Sequence, residues 1–393
     1  MKNGRPTTLI LLALLLVNCG TTHAAAREVR VADDAGLRKA LAEARPGVRI
    51  LLAPGKYKPG VYVSGLRGTA EEPIVIEAAD PKDKPVFEGG AVALHVSGCD
   101  RLTLRNLSIR GQTNNGLNID DGGKADSPSR HIVLEGLHVA EVGPKGNRDG
   151  MKLSGLDDLV VRDCTVEGWG GQAIDMVGCH RGLIERCTFR GKPGFTQDSG
   201  VQAKGGSADI TVRGCTFINA GQRGVNLGGS TAMKVFRPLG AKYEAKDITV
   251  EGCRFVGSLS PVAFVGVDGA DVRYNTIYRP ERWVVRILQE TTEPDFVPSR
   301  NGRFERNLIV FQRARVQSVV NVGGKTEPGS FRFRENFWFC EDDPGRSRPQ
   351  LPTPEEGGVH GTDPGLKIGA DGAPSDPSSS AAKAHGAGAL PKK

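Results

Sequence analysis

The sequence predicts an all-β fold, a right-handed parallel β-helix with an N-terminal capping helix, on three observations. One short strand pattern recurs along most of the chain. A second pattern of period two precedes most copies. Glycine is abundant (53 residues) while aromatics are only 6% of the chain. Self-similarity at a period of a few tens of residues marks a solenoid, whose units cannot bury a face alone and must stack. Many turns and few large rings suit thin repeated rungs better than a helical core.

The first pattern reads LTLRNLSIRG, IVLEGLHVAE, LVVRDCTVEG, LIERCTFRG, ITVRGCTFIN, ITVEGCRFVG, DVRYNTIYRP, FERNLIVFQ and FRFRENFWF. Apolar residues alternate, a punctuating residue follows, and another alternating pair closes the unit. Aligned on Asn106, Gly136, Cys164, Cys187, Cys215, Cys253, Asn275, Asn307 and Asn336, the units recur at 22 (Cys253 to Asn275) to 38 residues (Cys215 to Cys253). A constant minimum with variable excess means rungs of fixed size with loops inserted between strands.

The second pattern reads GLNID, GMKLS, AIDMV, GVQAK, GVNLG, PVAFV and VVRIL. Alternation places Leu117/Ile119, Met151/Leu153, Ile174/Met176, Val201/Ala203, Val225/Leu227, Val262/Phe264 and Val285/Ile287 inward. Stacked in register they form apolar ladders about 4.8 Å apart.

Three segments frame the solenoid. Residues 34–44 (DAGLRKALAEA) read as an amphipathic helix with an Asp N-cap, placed to cover the open end of the first rung. The first rungs are RILLAPGKY, VYVSG and PIVIEA. Residues 27–365 are the β-helix domain, and 366–393, rich in Gly, Ala, Ser and Pro, are a cover or a tail. Residues 1–26 have the layout of a secretory signal: Lys2 and Arg5, an apolar run from Leu9 to Val17, and Ala24-Ala25-Ala26 before Arg27. Leu16-Val17-Asn18-Cys19 resembles a lipoprotein box, so the expectation is an exported chain, periplasmic or extracellular, with lipid anchorage through Cys19 as the alternative. The run is too short for a span of about 20 apolar residues.

Loss of Lys2 and Arg5 lowers the formal charge from +7 to +5. This mild basic bias suits an acidic polymer, and no Lys/Arg run is dense enough for nucleic acid. A monomer is expected. Eight cysteines in an exported chain would ordinarily suggest disulfides. Their columns argue for packed thiols instead: Cys164, Cys187, Cys215 and Cys253 in one, Cys99 and Cys179 with Leu156 and Ser207 in another.

Outward positions of the second pattern carry the candidate chemistry, because packing does not dictate them. They are Asn118, Lys152, Asp175, Gln202, Asn226, Ala263 and Arg286, with Asp120 and Lys204 two residues further on and Asp149 and Arg223 just before the strands. The long insertions 121–130, 140–149, 190–198, 228–247 and 289–302 flank these strands and would wall an elongated groove. Trp169, Trp283, Phe195 and Tyr243 lie in or beside them, either packed or free to stack on sugars. Asp149 and Asp175 could hold a hard cation such as calcium through oxygen ligands, or Lys152 could neutralise them.

Residues 30–365 resemble the parallel β-helix polysaccharide lyases, nearest the chondroitinase-B and alginate lyase family, most clearly in ARPGVRILLAPGKY and GLRGTAEEPIVIEAADP. The resemblance implies a lyase acting on a uronate polymer, with Lys204 in VQAKGGSADITVRGCTF matching the family's basic lysine and Arg223 standing near its acid arginine. The family's calcium-binding Glu pair is not matched, Gln197 and Ser199 standing nearest. Its Arg-His-Gly motif is not matched either, Leu227-Gly228-Gly229 standing there instead. Three functions stay open. A lyase would use Lys204, Arg223 and Lys152 as catalytic groups, with Asn118, Asp120, Asp149, Asp175, Gln202, Asn226 and Arg286 binding substrate. A glycoside hydrolase or epimerase would use Asp120, Asp149 and Asp175. A non-catalytic carbohydrate-binding solenoid would need only the groove.

Overall fold

In the computed structural model, which describes Met1, residues 27–316 and residues 318–389, the strands form three long parallel sheets. From Val48 to Val322 the chain visits the first, second and third sheet in turn on each rung. The sheets hold 15, 12 and 10 strands respectively. The expected export signal and Cys19 lie outside the described residues. Among the described residues no helix is long and apolar enough to cross a membrane.

The period-two strands make the third sheet, in the expected register. Leu117 pairs with Met151, Met151 with Ile174, Ile174 with Val201, Val201 with Val225, Val225 with Val262 and Val262 with Val285. All seven are buried in one continuous core. The helix Asp34–Ala42 begins at Asp33, whose Oδ1 accepts the Gly36 N–H at 2.7 Å. Leu37 and Ala40 on its inner face join that core.

Seven described cysteines are free and buried. Two members of the main column are corrected. Asn106 and Gly136 occupy the left-handed bend that ends each first-sheet strand (φ +56° and +62°), a position also held by Asp163, Arg186 and Gly214. The buried position is the next residue. The column therefore runs Leu107, Leu137, Cys164, Cys187, Cys215, Cys253 and then Asn275, Asn307 and Asn336, all about 1% exposed or less. Aligning on the bend rather than on burial shifted the first two units by one residue. The asparagines form a ladder, Asn275 Nδ2 donating to Asn307 Oδ1 at 3.0 Å and Asn307 Nδ2 to Asn336 Oδ1 at 3.1 Å.

Residues 366–389 lie along the outside of the second sheet. Arg190 Nη2 donates to the Asp371 carbonyl, Arg254 pairs with Asp376 at 2.6 Å, and the Ala389 N–H reaches Thr276 Oγ1. Ala382, in the short helix Ser380–His385, and Ala387 pack on the outward Tyr278, Leu308, Val310 and Phe339. That apolar surface would otherwise face water.

Candidate functional site

The outward row of the third sheet runs, rung by rung, Tyr62, His95, Asn118, Lys152, Asp175, Gln202, Asn226, Ala263, Arg286, Asn321. A parallel row two residues on holds Asp120, Ser154, Val177 and Lys204. Residues 143–150 and 191–198 enter these strands and 121–128, 229–244 and 289–299 leave them. The expected walls are present.

The row is not the solvated face that alternation implies. Asp175 and Asn226 are 0% exposed, Asp149 1% and Gln202 4%. Pleating turns these side chains away from the core, and the inserted loops then cover them. Among the described residues, Asp149 Oδ2, Gln172 Oε1, Asp175 Oδ1, Ser199 Oγ, Gln202 Oε1 and Asn226 Nδ2 are buried without a hydrogen-bond partner. Such atoms are costly in a stable fold and concentrate where a site needs them.

Two lysines offset the buried carboxylates. Lys152 Nζ hydrogen-bonds Asp175 and stands 3.6 Å from Asp149 Oδ2. Lys204 Nζ approaches Asp175 Oδ2 at 3.6 Å. Burial, and then the neighbouring Asp175, push the Asp149 carboxyl up to about 6, against the opposing pull of Lys152. Burial alone would lower the Lys152 ammonium, but Asp175 and Asp149 outweigh it and hold it above its ordinary value.

Both lysines also face a cleft of about 440 Å³, with Asp120, Asp121, Ser154, Val177, Thr231, Val235 and Arg237 on its walls. Asp149 and Asp175 lie behind them. Asp120 is fixed by Ser97 Oγ (2.7 Å), the Gly122 N–H (2.9 Å) and His95 Nε2 (2.6 Å). Burial raises its carboxyl, but those hydrogen bonds outweigh it and leave it below the usual range. Asp121 accepts from Arg237 Nε at 2.9 Å, tying the 229–244 loop to the cleft. Glycine is needed at 206 (φ +89°), where a Cβ would stand 2.3 Å from the Arg237 carbonyl. Glu244, wholly buried, receives the Gly205 N–H and the Thr231 and Thr291 hydroxyls, so it clamps two loops over the strand end.

Lys152 and Lys204 stand close together, since both reach Asp175 Oδ2, but Arg223 does not join them. Arg223 pairs in register with Ser199, five residues before Lys204, or about 16 Å along the strand. It binds Glu290 (2.7 Å) and Asn226 Oδ1 (3.2 Å) instead. Lys204 thus has Asp175 and Lys152 as its close charged neighbours. Arg286 keeps company with Arg223 rather than with the lysines. Burial and then Arg223 lower its guanidinium, and it donates to Asn321 at 3.0 Å. Trp283 lies under the guanidiniums of Arg282 and Arg286 (4.3 and 4.4 Å). Trp169 is a core residue whose indole N–H reaches the Ser199 carbonyl at 2.8 Å.

Alternation missed Asp121, Arg237 and His95. Asp121 and Arg237 lie in insertions that carry no period. His95 stands two rungs before Lys152 in the same row, and extending the row toward the N-terminus would have found it.

A calcium ion does not fit the residues present. The Lys152 ammonium already contacts both Asp149 and Asp175. Gln197 spends its amide on the Lys192 N–H, the Lys192 carbonyl and the Phe195 carbonyl. Among the described residues no group of three or more His, Cys, Asp or Glu is placed to hold a metal.

Residues 90–238 match the model of a family described as a right handed beta helix region. No curated protein matches the chain. Among solved structures, an alginate lyase from Paenibacillus sp. str. FPU-7 is similar at 18% identity, covering 77% of this chain and 99% of that one, with a TM-score of 0.50. A mannuronic acid specific polysaccharide family 6 lyase from human gut microbiota is similar at 13% identity, covering 85% and 83%, TM-score 0.50. A GH136 lacto-N-biosidase from Eubacterium ramulus is similar at 14% identity, covering 85% and 67%, TM-score 0.54. At such identities the likeness is one of fold, and the fold is the right-handed parallel β-helix.

Proposed function

We propose that the protein is a polysaccharide lyase that cleaves a uronate-containing polymer by β-elimination in the cleft above Lys152 and Lys204. The observation that carries this reading is the layering of the site. Two lysine side chains line the cleft, and the carboxylates beside them, Asp149 and Asp175, lie behind, out of reach of a polymer. A hydrolase or epimerase built on Asp120, Asp149 and Asp175 would need two of these carboxylates at the cleft surface, and of the three Asp120 alone lines it. The solved relatives of similar fold include two named as lyases, which is consistent with this choice.

Elimination starts with removal of the proton on the carbon next to the sugar's carboxylate. The electron pair forms a carbon–carbon double bond as the glycosidic carbon–oxygen bond breaks, and the leaving oxygen takes a proton. Lys152, held positive by Asp175 and Asp149, neutralises the sugar carboxylate and so stabilises charge that develops on it. Lys204 acts as the base in its neutral amine form, and the ammonium formed when it takes this proton returns it to the leaving oxygen. Asp120, Asn118 and Arg237 border the reacting sugar. Gln202 and Asn226 shape the floor, and Arg223 and Arg286 bind carboxylates further along the chain.

Lys204→Ala should lower turnover by about 10²–10⁴-fold with little change in melting temperature. Lys204→Arg should rescue poorly, because a guanidinium does not readily give up its proton. The assay is the ultraviolet absorbance of the unsaturated product on a panel of polyuronates. New reducing ends without that absorbance would mean hydrolysis, and near wild-type cleavage by Lys204→Ala would end the assignment.

A further inference from the structure

The outward row continues past the cleft toward the N-terminus, where its character changes from charged to aromatic. Asn118 is followed by His95 and His95 by Tyr62, each directly opposite the next. Tyr62 is 62% exposed, and it is the one ring among the exposed large hydrophobic side chains of the described residues. Its ring stands 5.2 Å from that of His95 at 82°, so the two form a corner. His95 is fixed in turn by Asp120, a wall of the reaction cleft.

Tyr62 also lines a second cavity of about 470 Å³ between the strand Val61–Ser64 and the capping helix, with Arg38, Lys58 and Pro59 on its rim. Neither Arg38 nor Lys58 has an ion-pair partner among the described residues, whereas Arg105, Arg162, Arg213 and Arg273 on the first sheet are paired. Asp34, the one acid of this cavity, accepts the Lys58 backbone N–H at 2.8 Å.

We propose that Tyr62 and His95 form a distal subsite for a sugar ring of the same acidic polymer, with Arg38 and Lys58 receiving its carboxylate. An exposed ring offers a flat apolar face for the C–H face of a pyranose. The two unpaired cations add the charge that a uronate requires. Tyr62 lies three rungs from Lys152, roughly 14 Å, the length of a few linked sugars. One chain lying along the row would therefore reach both places.

The subsite rests on the reading of the cleft as a polyuronate site, and one titration separates the two. The Lys204→Ala protein, which should not cleave, is titrated calorimetrically with trimers and heptamers of mannuronate, guluronate and galacturonate. For one of these series the heptamer should bind more tightly than the trimer by about tenfold, the order of one stacked ring. Adding Tyr62→Ala should erase that preference, and Tyr62→Trp should keep it. All three proteins should melt alike, because the side chain at 62 is exposed. A Tyr62→Ala protein that keeps the length preference, or a parent that binds both lengths equally, overturns the subsite and leaves the cleft reading standing. A parent that binds no uronate of either length overturns both.

Discussion

Two outward rows of this solenoid have the same spacing and geometry and opposite characters. On the first sheet the row runs Glu77, Arg105, Glu135, Arg162, Glu185, Arg213, Glu251, Arg273, Glu305, Arg334, Glu356, alternating in sign at every rung. Each interior charge stands between two of opposite sign, as in Arg162 to Glu135 (2.8 Å) and Arg213 to Glu185 (2.7 Å). On the third sheet the row is aperiodic, largely buried in its middle, and dotted with polar atoms that lack partners. A regular alternation is what stacking alone would favour, since like charges on facing strands repel. The irregular row departs from it where the loops build walls. The contrast supports the proposal that the third sheet is the working face more firmly than any single residue does.

The comparison can be broken at either row. The largest effect on stability is expected at Asp175. Asp175→Ala removes the buried partner of Lys152 and Lys204, and should cost about 3–5 kcal/mol in denaturant unfolding. A loss below 1 kcal/mol would mean that water already screens this pair and that the row is not closed.

Asp149 makes the next prediction, through pH. Its carboxyl is raised to about 6 in the folded protein from an ordinary value of 3.8. The folded state therefore binds this proton more tightly than the unfolded state. The associated stability is fully present below about pH 4 and is lost as pH rises through about 6, a change of up to about 3 kcal/mol. Melting curves of wild type and Asp149→Asn should diverge with this sign over that window. Parallel curves would place Asp149 in contact with solvent.

On the regular row the expected effect is small. Glu251→Gln weakens a half-exposed pair with Arg273 and should cost less than about 1 kcal/mol, and less again in high salt. A cost equal to that at Asp175 would erase the distinction between the rows. The smallest effect should come from a chelator. Lys152 already bridges the two buried carboxylates, so EDTA should leave melting and turnover unchanged. A fall in either would show that a divalent cation shares the site.

Much of this was legible in the sequence because a strand's period of two is a local property. The register of the third sheet, the inward ladder from Leu117 to Val285 and the positions of Lys152, Asp175 and Lys204 all follow from alternation. So does the sign alternation of the first-sheet row, since the residue before each bend reads R, E, R, E along the quoted repeats. Errors arose where one period was read through a corner. Asn106 and Gly136 were displaced by one residue because bend and buried positions are adjacent and both accept small polar residues. Arg223 and Lys204 belong to neighbouring rungs, but rung spacing does not show that five residues along the strand separate them.

The sequence by itself determined the fold, the direction in which each strand residue points and the candidate row. Those depend on backbone geometry and on burying apolar faces, which repeat from rung to rung. Only the tertiary structure decided which outward residues are covered, which lysines share a carboxylate, and that Asp121 and Arg237 close one side of the cleft. Those depend on where insertions of unlike length fold back, and contacts as distant in sequence as Asp121 and Arg237 leave no period to read.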